Sequence, residues 1–596
     1  MSHKTTIPGK DSPLETTLDL VEKKLQTLGI ELSETSHLNP VPHCWSVHLQ
    51  ASSCPALYTN GKGTTKLASI ASGMGEFIER LATDFFFSEY FIGENTDKIN
   101  NHWFTFFPDE LWFSPPSPTT AIVDYIHPQT GTRLLNNSLL GFYDPEGELQ
   151  LEHLLDNNTD RPHRGVCALP FTHVEDSNLC YFPISLLNNL YVSNGMAAGN
   201  SPSECTSQAL SEIIERYVKN TVIAEGLSLP LVPDGNLEAF PHLLEIRNNI
   251  EKCGFSVAIH DSSLGGQFPV ICVTLIDKDN GGAYAAFGAN CRFEVAIERT
   301  LTELLQGRKL DQLHDFTHPV HNLELVAEPY NLENHFIDSD GLLSWSMFCD
   351  EPDFSFSPWS FSGSTKDEEQ HLKSLIAGHG FTVYQREYLH CGLYCCRIII
   401  PGMSEIYPVD DLVWNNRNKG AVLRPQILQL PSMKNEQLAD LLDLIEHHAL
   451  DDQHLLSHLI GVRFDKGSNW DTLRIGELKA HIYLALGDYE AAGQWCSWAV
   501  DYGELTQPRK RIFQALSTLV QLQNENCDWE LYQKGLRRFY TEAEIETAQR
   551  TINGTQPFFG LGFSDSWSQL STEHNKLLTI YNSLKNAKAT HAQAKH

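Results

Sequence analysis

The stretch SNGMAAGNSPSECTSQALSEIIERYVKN, residues 193–220, decides the fold. It opens with a glycine-bearing turn and runs into a segment of helical periodicity that carries the motif SEIIER at 211–216. A glycine turn that leads directly into a helix exposes backbone N–H groups able to hold phosphate oxygens. The stretch therefore predicts a loop–helix unit with a polar, ligand-facing side.

The same loop–helix pattern occurs twice more in the chain. Thr59–Gly63 precedes a helical segment with GEFIER at 75–80, and Phe287–Asn290 precedes one with Ile297-Glu298-Arg299 and then Glu303. The third copy is degenerate, because Val295 stands where the first glutamate of the motif would be. Three copies predict three repeated strand–loop–helix units.

Helical phase places carboxylates together on the polar face of each unit. In the second helix Glu204, Gln208 and Glu215 fall on one line at i, i+4 and i+11, with Glu212 one step round. Acids gathered in this way repel one another, and a divalent cation removes that penalty. A Glu and an Arg four residues apart also form ordinary surface ion pairs, which is the alternative for any single motif.

Composition excludes several classes of protein. The 43 basic and 75 acidic residues give a formal charge of −32, which argues against direct binding to nucleic acid or to anionic membranes. The N-terminus has no apolar signal region, and no uninterrupted apolar run reaches the roughly 18 residues of a membrane helix. We expect a cytoplasmic protein whose acidic surface suits a basic protein partner.

The pattern of secondary structure divides the chain in two. Short β-like runs alternate with helical patterns over residues 1–428, which predicts a mixed α+β core with an elaborated loop region or subdomain at about 95–165. Residues 429–596 favour helix, and the predicted helical segments are 436–460, 470–487, 489–502, 508–524 and 529–553. The segment 477–503 is typical of a tetratricopeptide-like helical hairpin, with a turn at Gly487-Asp488. Its first helix is expected to have one apolar stripe, formed by Leu478, Ile482, Ala485 and Leu486. Such a domain serves dimerisation, stability or partner binding, and a homodimer is the expected assembly.

The fourteen cysteines do not form a metal or cluster framework. They are scattered without CxxC spacing, so we expect reduced and mostly buried thiols, including the dense group Cys391, Cys395 and Cys396. Neither CxxxCxxC nor HExxH occurs, which argues against a radical methylthiotransferase and a zinc hydrolase. Walker A, GxGxxG and kinase motifs are also absent from the sequence.

Taken together, the ordered motifs resemble the YcaO family along nearly the whole chain. The matching stretches are IPGKD (7–11), TNGKG (59–63), GEFIER (75–80), RGVCALPF (164–171), LYVSNGMAAGN (190–200), SEIIERYVKN (211–220), SLGGQFPVICV (263–273), AIERTLTELLQGR (296–308), HFIDSDG (335–341) and IIPGMSEIYP (399–408). The resemblance implies an enzyme that uses ATP and Mg²⁺ to phosphorylate, and so activate, a peptide backbone amide.

The resemblance also implies roles for individual residues. By motif, the residues that would hold Mg²⁺ are Glu76, Glu79, Glu212, Glu215 and Glu303. The residues that would contact the nucleotide are Lys10, Ser72, Asn200, Glu204, Gln208, Arg216 and Arg299. Catalytic roles fall on Glu76, Glu215 and Arg299.

For the biological role, the family leaves alternatives open. A branch with a tetratricopeptide-like C-terminus is described as an accessory factor for β-methylthiolation of an aspartate in a small-subunit ribosomal protein. The resemblance thus implies ATP, a peptide or basic ribosomal protein, and a radical methylthiotransferase as partners. The alternatives are a non-catalytic scaffold that recruits the methylthiotransferase or its substrate, and an azoline- or thioamide-forming enzyme. Azoline-forming members usually end in a Pro-rich tail, which residues 586–596 lack.

Overall fold

A computed structural model of the protein describes residues 4–93, 104–114, 120–159, 162–468, 470–560 and 571–594. The fold mixes helix and sheet, as predicted. The strands are β1 (Leu32–Val41), β2 (Cys44–Ala51), β3 (Cys54–Gly63), β4 (Leu111–Phe113), β5 (Val166–His173), β6 (Leu179–Pro183), β7 (Met196–Gly199), β8 (Phe255–Asp261), β9 (Val270–Asp277), β10 (Ala283–Ala289), β11 (Tyr384–Tyr388) and β12 (Tyr394–Ile399).

Helices of nine or more residues are numbered along the chain. They are α1 (Leu14–Thr27), α2 (Lys66–Ala82), α3 (Pro202–Glu225), α4 (Pro241–Glu251), α5 (Phe293–Leu304), α6 (Pro329–Ile337), α7 (Thr365–Gly378), α8 (Lys419–Ile427), α9 (Asn435–His447), α10 (Ile475–Leu486), α11 (Tyr489–Tyr502), α12 (Gln507–Asn524), α13 (Glu542–Ile552) and α14 (Thr572–Ala594). Shorter helical segments lie at Phe85–Phe87, Ile122–Asp124, Asn137–Tyr143, Leu151–Leu154, Pro162–Arg164, Ile184–Leu186, Leu187–Tyr191, Asp234–Leu237, Leu310–Gln312, Leu323–Val326, Trp345–Phe348, Asp411–Trp414, Leu430–Ser432, Leu456–Leu459, Trp529–Tyr532, Gln533–Phe539 and Pro557–Gly560.

The strands form three antiparallel sheets. One has the order β1-β2-β3, a second the order β10-β9-β8, and the third the order β4-β5-β11-β12-β7 with β6 paired to β5. Each sheet contributes one strand that leads through a turn into a helix: β3 into α2, β7 into α3 and β10 into α5. The three predicted strand–loop–helix units are therefore present.

A glycine in the strand lets the helix pack closely in the first and third units. A Cβ atom on Gly61 would meet backbone atoms of Ser69 and Gly73 at 2.0 and 2.4 Å. A Cβ atom on Gly288 would meet Thr300 Oγ1 at 2.3 Å and the Ala296 carbonyl oxygen at 3.0 Å. The contacts lie eight and twelve residues after the glycine in both units. Only glycine permits this approach of strand to helix.

The three units also interlock in a cycle, because each helix contacts the strand of another unit. Helix α2 contacts β7, α3 contacts β10, and α5 contacts β3. A specific hydrogen bond accompanies each contact, and the three bonds run from Thr83 Oγ1 to Met196 Sδ (3.3 Å), from the Ala289 N–H to Glu215 Oε2 (3.1 Å) and from Gln306 Nε2 to the Asn60 carbonyl oxygen (2.7 Å). This cycle fixes the three helices relative to one another.

The C-terminal region is helical, as predicted, with a hairpin of α10 and α11 joined at Gly487-Asp488. The expected apolar stripe of α10 is partly wrong: Leu478 and Ile482 are fully buried, whereas Ala485 is exposed. Ala485 lies in the last turn of α10, two residues before Gly487, whose left-handed backbone ends the helix. The tetratricopeptide-like character stays a prediction.

The last helix, α14, leaves the helical region and packs into the core of the first part of the chain. Leu577, Ile580 and Leu584 join the hydrophobic cluster that also holds residues of α2 and β5. The Lys588 ammonium is buried and pairs with both carboxylate oxygens of Asp84 at 2.5 Å, just after α2. Residues 572–594 are thus part of the first core by packing, while the boundary at 428/429 stays a prediction.

The cysteines are free thiols, and eleven of the fourteen are buried, Cys391, Cys395 and Cys396 among them. The prediction of reduced structural thiols agrees with this arrangement. In the part of the chain that the structure describes, helices long and apolar enough to cross a membrane are absent. The predicted loop region at about 95–165 carries only short helices and strand β4 in its described residues, and 95–103, 115–119 and 160–161 lie outside them.

We predict that Lys588→Met destabilises the protein by about 3–5 kcal/mol, because it leaves the Asp84 carboxylate buried without its cation. Thermal unfolding measured beside wild type checks this. Lys373→Met is the control, since its ion pair with Glu369 is more exposed and contributes about 0–1 kcal/mol. Equal losses in the two variants would contradict the prediction.

Candidate active site

The polar faces of α2, α3 and α5 meet around Lys62, the penultimate residue of β3. The Lys62 ammonium pairs with Glu303 of α5. Burial lowers the pKa of Lys62 to about 8, while the charges of Glu215, Glu76 and Glu212 raise it and that of Arg299 lowers it. Side chains from all three helices therefore act on one cation, and the predicted convergence of carboxylates and arginine is present.

Two of the glutamates pair with the arginine that follows them by one helical turn. The distance from Glu76 to Arg80 is 2.5 Å, and that from Glu212 to Arg216 is 3.1 Å. The surface ion pair weighed as the alternative thus exists, but these pairs are only 21–29% exposed and line a shared volume. The Arg216 guanidinium also lies over the Phe336 ring, 4.5 Å from its centroid.

Glu79 lies between these pairs and, among the described residues, has neither a hydrogen bond to its carboxylate nor an ion pair within 4 Å. Burial, followed by the charges of Glu212 and Glu76, raises the pKa of Glu79 well above its ordinary value. Burial also raises the pKa of Glu212, against the effect of Arg216. The site is therefore short of positive charge, which is the condition that a bound cation corrects.

Three of the five carboxylates, those of Glu76, Glu212 and Glu303, pair with the protein's own cations. Within the described residues, no three His, Cys, Asp or Glu side chains are gathered closely enough to hold a metal ion in this arrangement. Ion pairs four residues apart on a helix contribute only a few tenths of a kcal/mol, so turning Glu76 or Glu212 from its arginine to a cation costs little. Carboxylate oxygens are donors that Mg²⁺ prefers, and one or two of them would share each ion with water and nucleotide phosphate oxygens. The residues present fit the ion.

A second polar cluster lies at the N-terminal end of α3. The buried Glu204 carboxylate pairs with the Lys10 ammonium at 3.1 Å and accepts hydrogen bonds from the Asp11 N–H at 2.9 Å and from Asn200 Nδ2 at 3.1 Å. Thr17 Oγ1 donates to the Asn200 side-chain oxygen at 2.8 Å. The N-terminal segment and the glycine-bearing loop of the second unit are thereby joined at Glu204.

Gln208 lies between the two clusters, and its side-chain oxygen accepts a hydrogen bond of 2.7 Å from Arg299 Nη1. From Glu204 to Glu215 the axis of α3 rises about 16 Å. Lys10, Asn200, Glu204, Gln208, Arg299 and the carboxylates therefore line one continuous polar strip. Ser72 is exposed on α2, one turn before Glu76.

The sequence did not identify Lys62 as a site residue. Its motif, TNGKG, is among the stretches that carry the resemblance, but the roles implied for individual residues do not include Lys62. What makes Lys62 central is the packing of α5 against β3, which the sequence pattern does not contain. Gln306, two residues after the end of α5, donates a hydrogen bond to the Asn60 carbonyl oxygen and so joins the same two elements.

Both parts of the chain match known family models. Residues 60–404 match a family model described as "YcaO cyclodehydratase, ATP-ad Mg2+-binding", and residues 420–590 match one described as "YcaO cyclodehydratase C-terminal domain". The chain is 42% identical over 590 residues to "Ribosomal protein S12 methylthiotransferase accessory factor YcaO" of Escherichia coli K12, with 98% of this chain and 99% of the relative covered. It is 39% identical over 594 residues to an uncharacterized Haemophilus influenzae protein, with 99% of each covered.

Solved structures give more distant matches. A heterocyclase in complex with substrate and cofactor is 17% identical, with 69% of this chain and 56% of that chain covered and a TM-score of 0.43. The YcaO protein of Methanopyrus kandleri bound with AMPPCP and Mg²⁺ is 16% identical, with 66% of this chain and 92% of that chain covered and a TM-score of 0.39.

We predict that Glu79→Gln stabilises the Mg²⁺-free protein by about 0.5–2 kcal/mol, because it removes a half-buried charge that repels its neighbours. The same variant should lose most of the stabilisation that added Mg²⁺ and nucleotide give to wild type. Thermal shift with and without both ligands measures the two effects. Glu225→Gln, at the exposed end of α3, is the control, and a loss of stability in Glu79→Gln without ligands would refute the charge argument.

Proposed function

Because the chain belongs to the YcaO family, whose members bind ATP and Mg²⁺, we propose that it uses both to phosphorylate and so activate a peptide backbone amide. The observation that carries the proposal is the cluster around Lys62, where five glutamates and three arginines from three helices meet. Buried charge of this density weakens a fold, so a role in binding charged ligands accounts for its presence.

The two clusters divide the work of holding the nucleotide. Glu76, Glu79, Glu212, Glu215 and Glu303 would hold Mg²⁺ at one end of the polar strip. Lys10, Asn200 and Glu204 would contact the nucleoside end, about 16 Å away along α3, with Gln208 between. Ser72 and Arg216 would contact the phosphates, since both lie on the helices that carry the Mg²⁺ ligands.

Bound with Mg²⁺, ATP would supply a phosphoryl group to the amide oxygen once a nucleophile has added to the carbonyl carbon. ADP would be released, and the oxygen would then leave as part of inorganic phosphate. Arg299 and Lys62 place positive charge where negative charge develops on the transferred group. Glu215 is held by the Ala289 N–H and Gln208 orients Arg299, so both acidic and basic groups are positioned before substrate arrives.

The relative from E. coli supports the biological role. We propose that this chain likewise acts as an accessory factor in methylthiolation of an aspartate in ribosomal protein S12, together with a separate methylthiotransferase. The family model's description as a cyclodehydratase favours azoline or thioamide formation as the second candidate. A scaffold without ATP chemistry would need none of the charge around Lys62, which argues against that alternative.

We predict ATP hydrolysis by the purified protein that requires Mg²⁺ and that falls by about 100-fold or more in Glu76→Ala and in Glu215→Ala. A phosphate-release assay, with and without Mg²⁺, measures it, and Glu225→Gln should match wild type. No hydrolysis by wild type, together with no nucleotide binding by calorimetry, would remove the enzymatic proposal and leave the scaffold.

We also predict that two variants separate binding from chemistry. Lys10→Ala should raise the KM for ATP roughly 10-fold or more and leave kcat near wild type, because it removes a contact made equally in ground and transition states. Arg299→Ala should lower kcat about 10²–10³-fold. Lys23→Ala, at an exposed position of α1, is the control. A fall in kcat for Lys10→Ala would place the nucleotide differently.

A further inference from the structure

Beside the active site lies a surface that is apolar and acidic at once. Five large apolar side chains between residues 323 and 345 are 38–71% exposed: Leu323, Leu325, Tyr330, Ile337 and Trp345. They are five of the eighteen exposed large apolar residues in the described parts of the chain. We call these five residues, with the exposed Glu324, Glu328, Asp338 and Asp340, the 323–345 surface.

Sequence and packing make the apolar residues of this surface neighbours. Tyr330 and Ile337 are seven residues apart on α6 and so share a face, opposite the buried Asn331 and His335. The backbone N–H of Trp345 donates to the Val320 carbonyl oxygen at 3.0 Å, which brings Trp345 beside the short helix Leu323–Val326. The apolar residues therefore lie on adjoining helices instead of being scattered singly.

Polar bonds beneath the surface hold it in place. Asn331 Nδ2 donates to the carbonyl oxygens of Val326 and Leu342 at 2.8 and 3.1 Å, and Asn331 Oδ1 accepts from the Leu342 N–H at 2.7 Å. Helix α6 is thus fixed to the segments on both sides of it. A surface held in this way is ready for a partner without rearrangement, which reduces the entropy lost on binding.

The surface borders the carboxylate cluster through α3. Lys219, one turn after Glu215, donates to the His335 carbonyl oxygen at 2.5 Å and to Ser339 Oγ at 3.0 Å. The Arg216 guanidinium of α3 lies over the ring of Phe336, which follows His335 on α6. A chain bound on α6 would therefore run close to the Mg²⁺ ligands.

The charge of this region selects the kind of partner. From residue 310 to residue 365 the chain has no Lys or Arg and ten Asp or Glu. Lys309 and Arg308 are the nearest basic residues in sequence, and Arg308 pairs with Asp340 at 2.8 Å, which leaves Glu324, Glu328 and Asp338 as the acidic side chains of the rim. The partner that complements this surface is a polypeptide rich in Lys or Arg that also carries apolar side chains.

We propose that the 323–345 surface is the docking site for the substrate protein, a basic polypeptide whose apolar side chains pack on Tyr330 and Ile337. The proposal rests on the proposed function, since a protein amide must reach the carboxylate cluster. The rim charges would speed association and set its dependence on salt, while the apolar contacts would hold the complex.

The test measures binding of two probes, purified ribosomal protein S12 and polylysine, by fluorescence anisotropy at low and high salt. Glu328→Lys/Asp338→Lys should weaken both probes at least 10-fold. Tyr330→Ser/Ile337→Ser should weaken S12 at least 10-fold and leave polylysine within twofold. Glu436→Lys/Asp440→Lys makes the same charge change at exposed positions of α9 and should leave both probes near wild type.

Hydrolysis of ATP in the absence of S12 should be unchanged in all three double variants, which shows that the fold and nucleotide site are intact. Equal S12 affinity in wild type and the two surface variants would overturn the docking proposal, as would the absence of S12 binding to wild type at low salt. Neither of these results would bear on the proposed ATP hydrolysis. If wild type hydrolyses no ATP, the proposed function is wrong, whatever the binding measurements show.

Discussion

The cyclic packing of three strand–helix units is the constraint on which the rest of the structure depends. Because α2 lies against β7, α3 against β10 and α5 against β3, no one of the three helices can shift without disturbing another unit. The cycle forces polar faces that would repel one another into a common volume. Within the first and third units, Gly61 and Gly288 let the strand and its own helix approach closely, since any side chain there would push the two apart. The contacts that close the cycle therefore also set the distances between the carboxylates.

The sequence predicted what depends on local pattern. Helical phase placed Glu212 and Glu215 on a polar face, which agrees with the structure. The predicted glycine turns are correct only in the second unit, at Ser193–Gly195, because 59–63 belongs to β3 and 287–289 to β10. Lys62 was missed as a site residue because its importance arises from the contact of α5 with β3, between residues more than two hundred positions apart. The predicted helix over 436–460 was too long, since α9 ends at His447. Exposure of Ala485 was missed for a similar reason: periodicity gives the face of a helix but not where a neighbouring helix ends.

The site stores charge in two different ways. At the Lys62 end, ion pairs within one helix hold the glutamates loosely, and Glu79 has a raised pKa because burial and its acidic neighbours oppose ionisation. At the Glu204 end, a nearly fully buried carboxylate is satisfied by a lysine, an amide side chain and a backbone N–H from separate segments. The first arrangement is cheap to rearrange and suits a cation that must come and go with its nucleotide. The second is costly to rearrange, so we expect it to keep its geometry while a nucleotide binds and leaves.

The return of α14 to the first core joins the two family segments into one mechanical unit. Lys588 is bound to Asp84, and Asp84 follows the end of α2 by two residues, so the C-terminal helix anchors the helix that carries Glu76 and Glu79. A rearrangement of α14 would therefore reach Glu76 and Glu79, two of the proposed Mg²⁺ ligands, through packed helices. Packing, and not only chain connectivity, is thus the physical route by which the C-terminal helix would act on the candidate site.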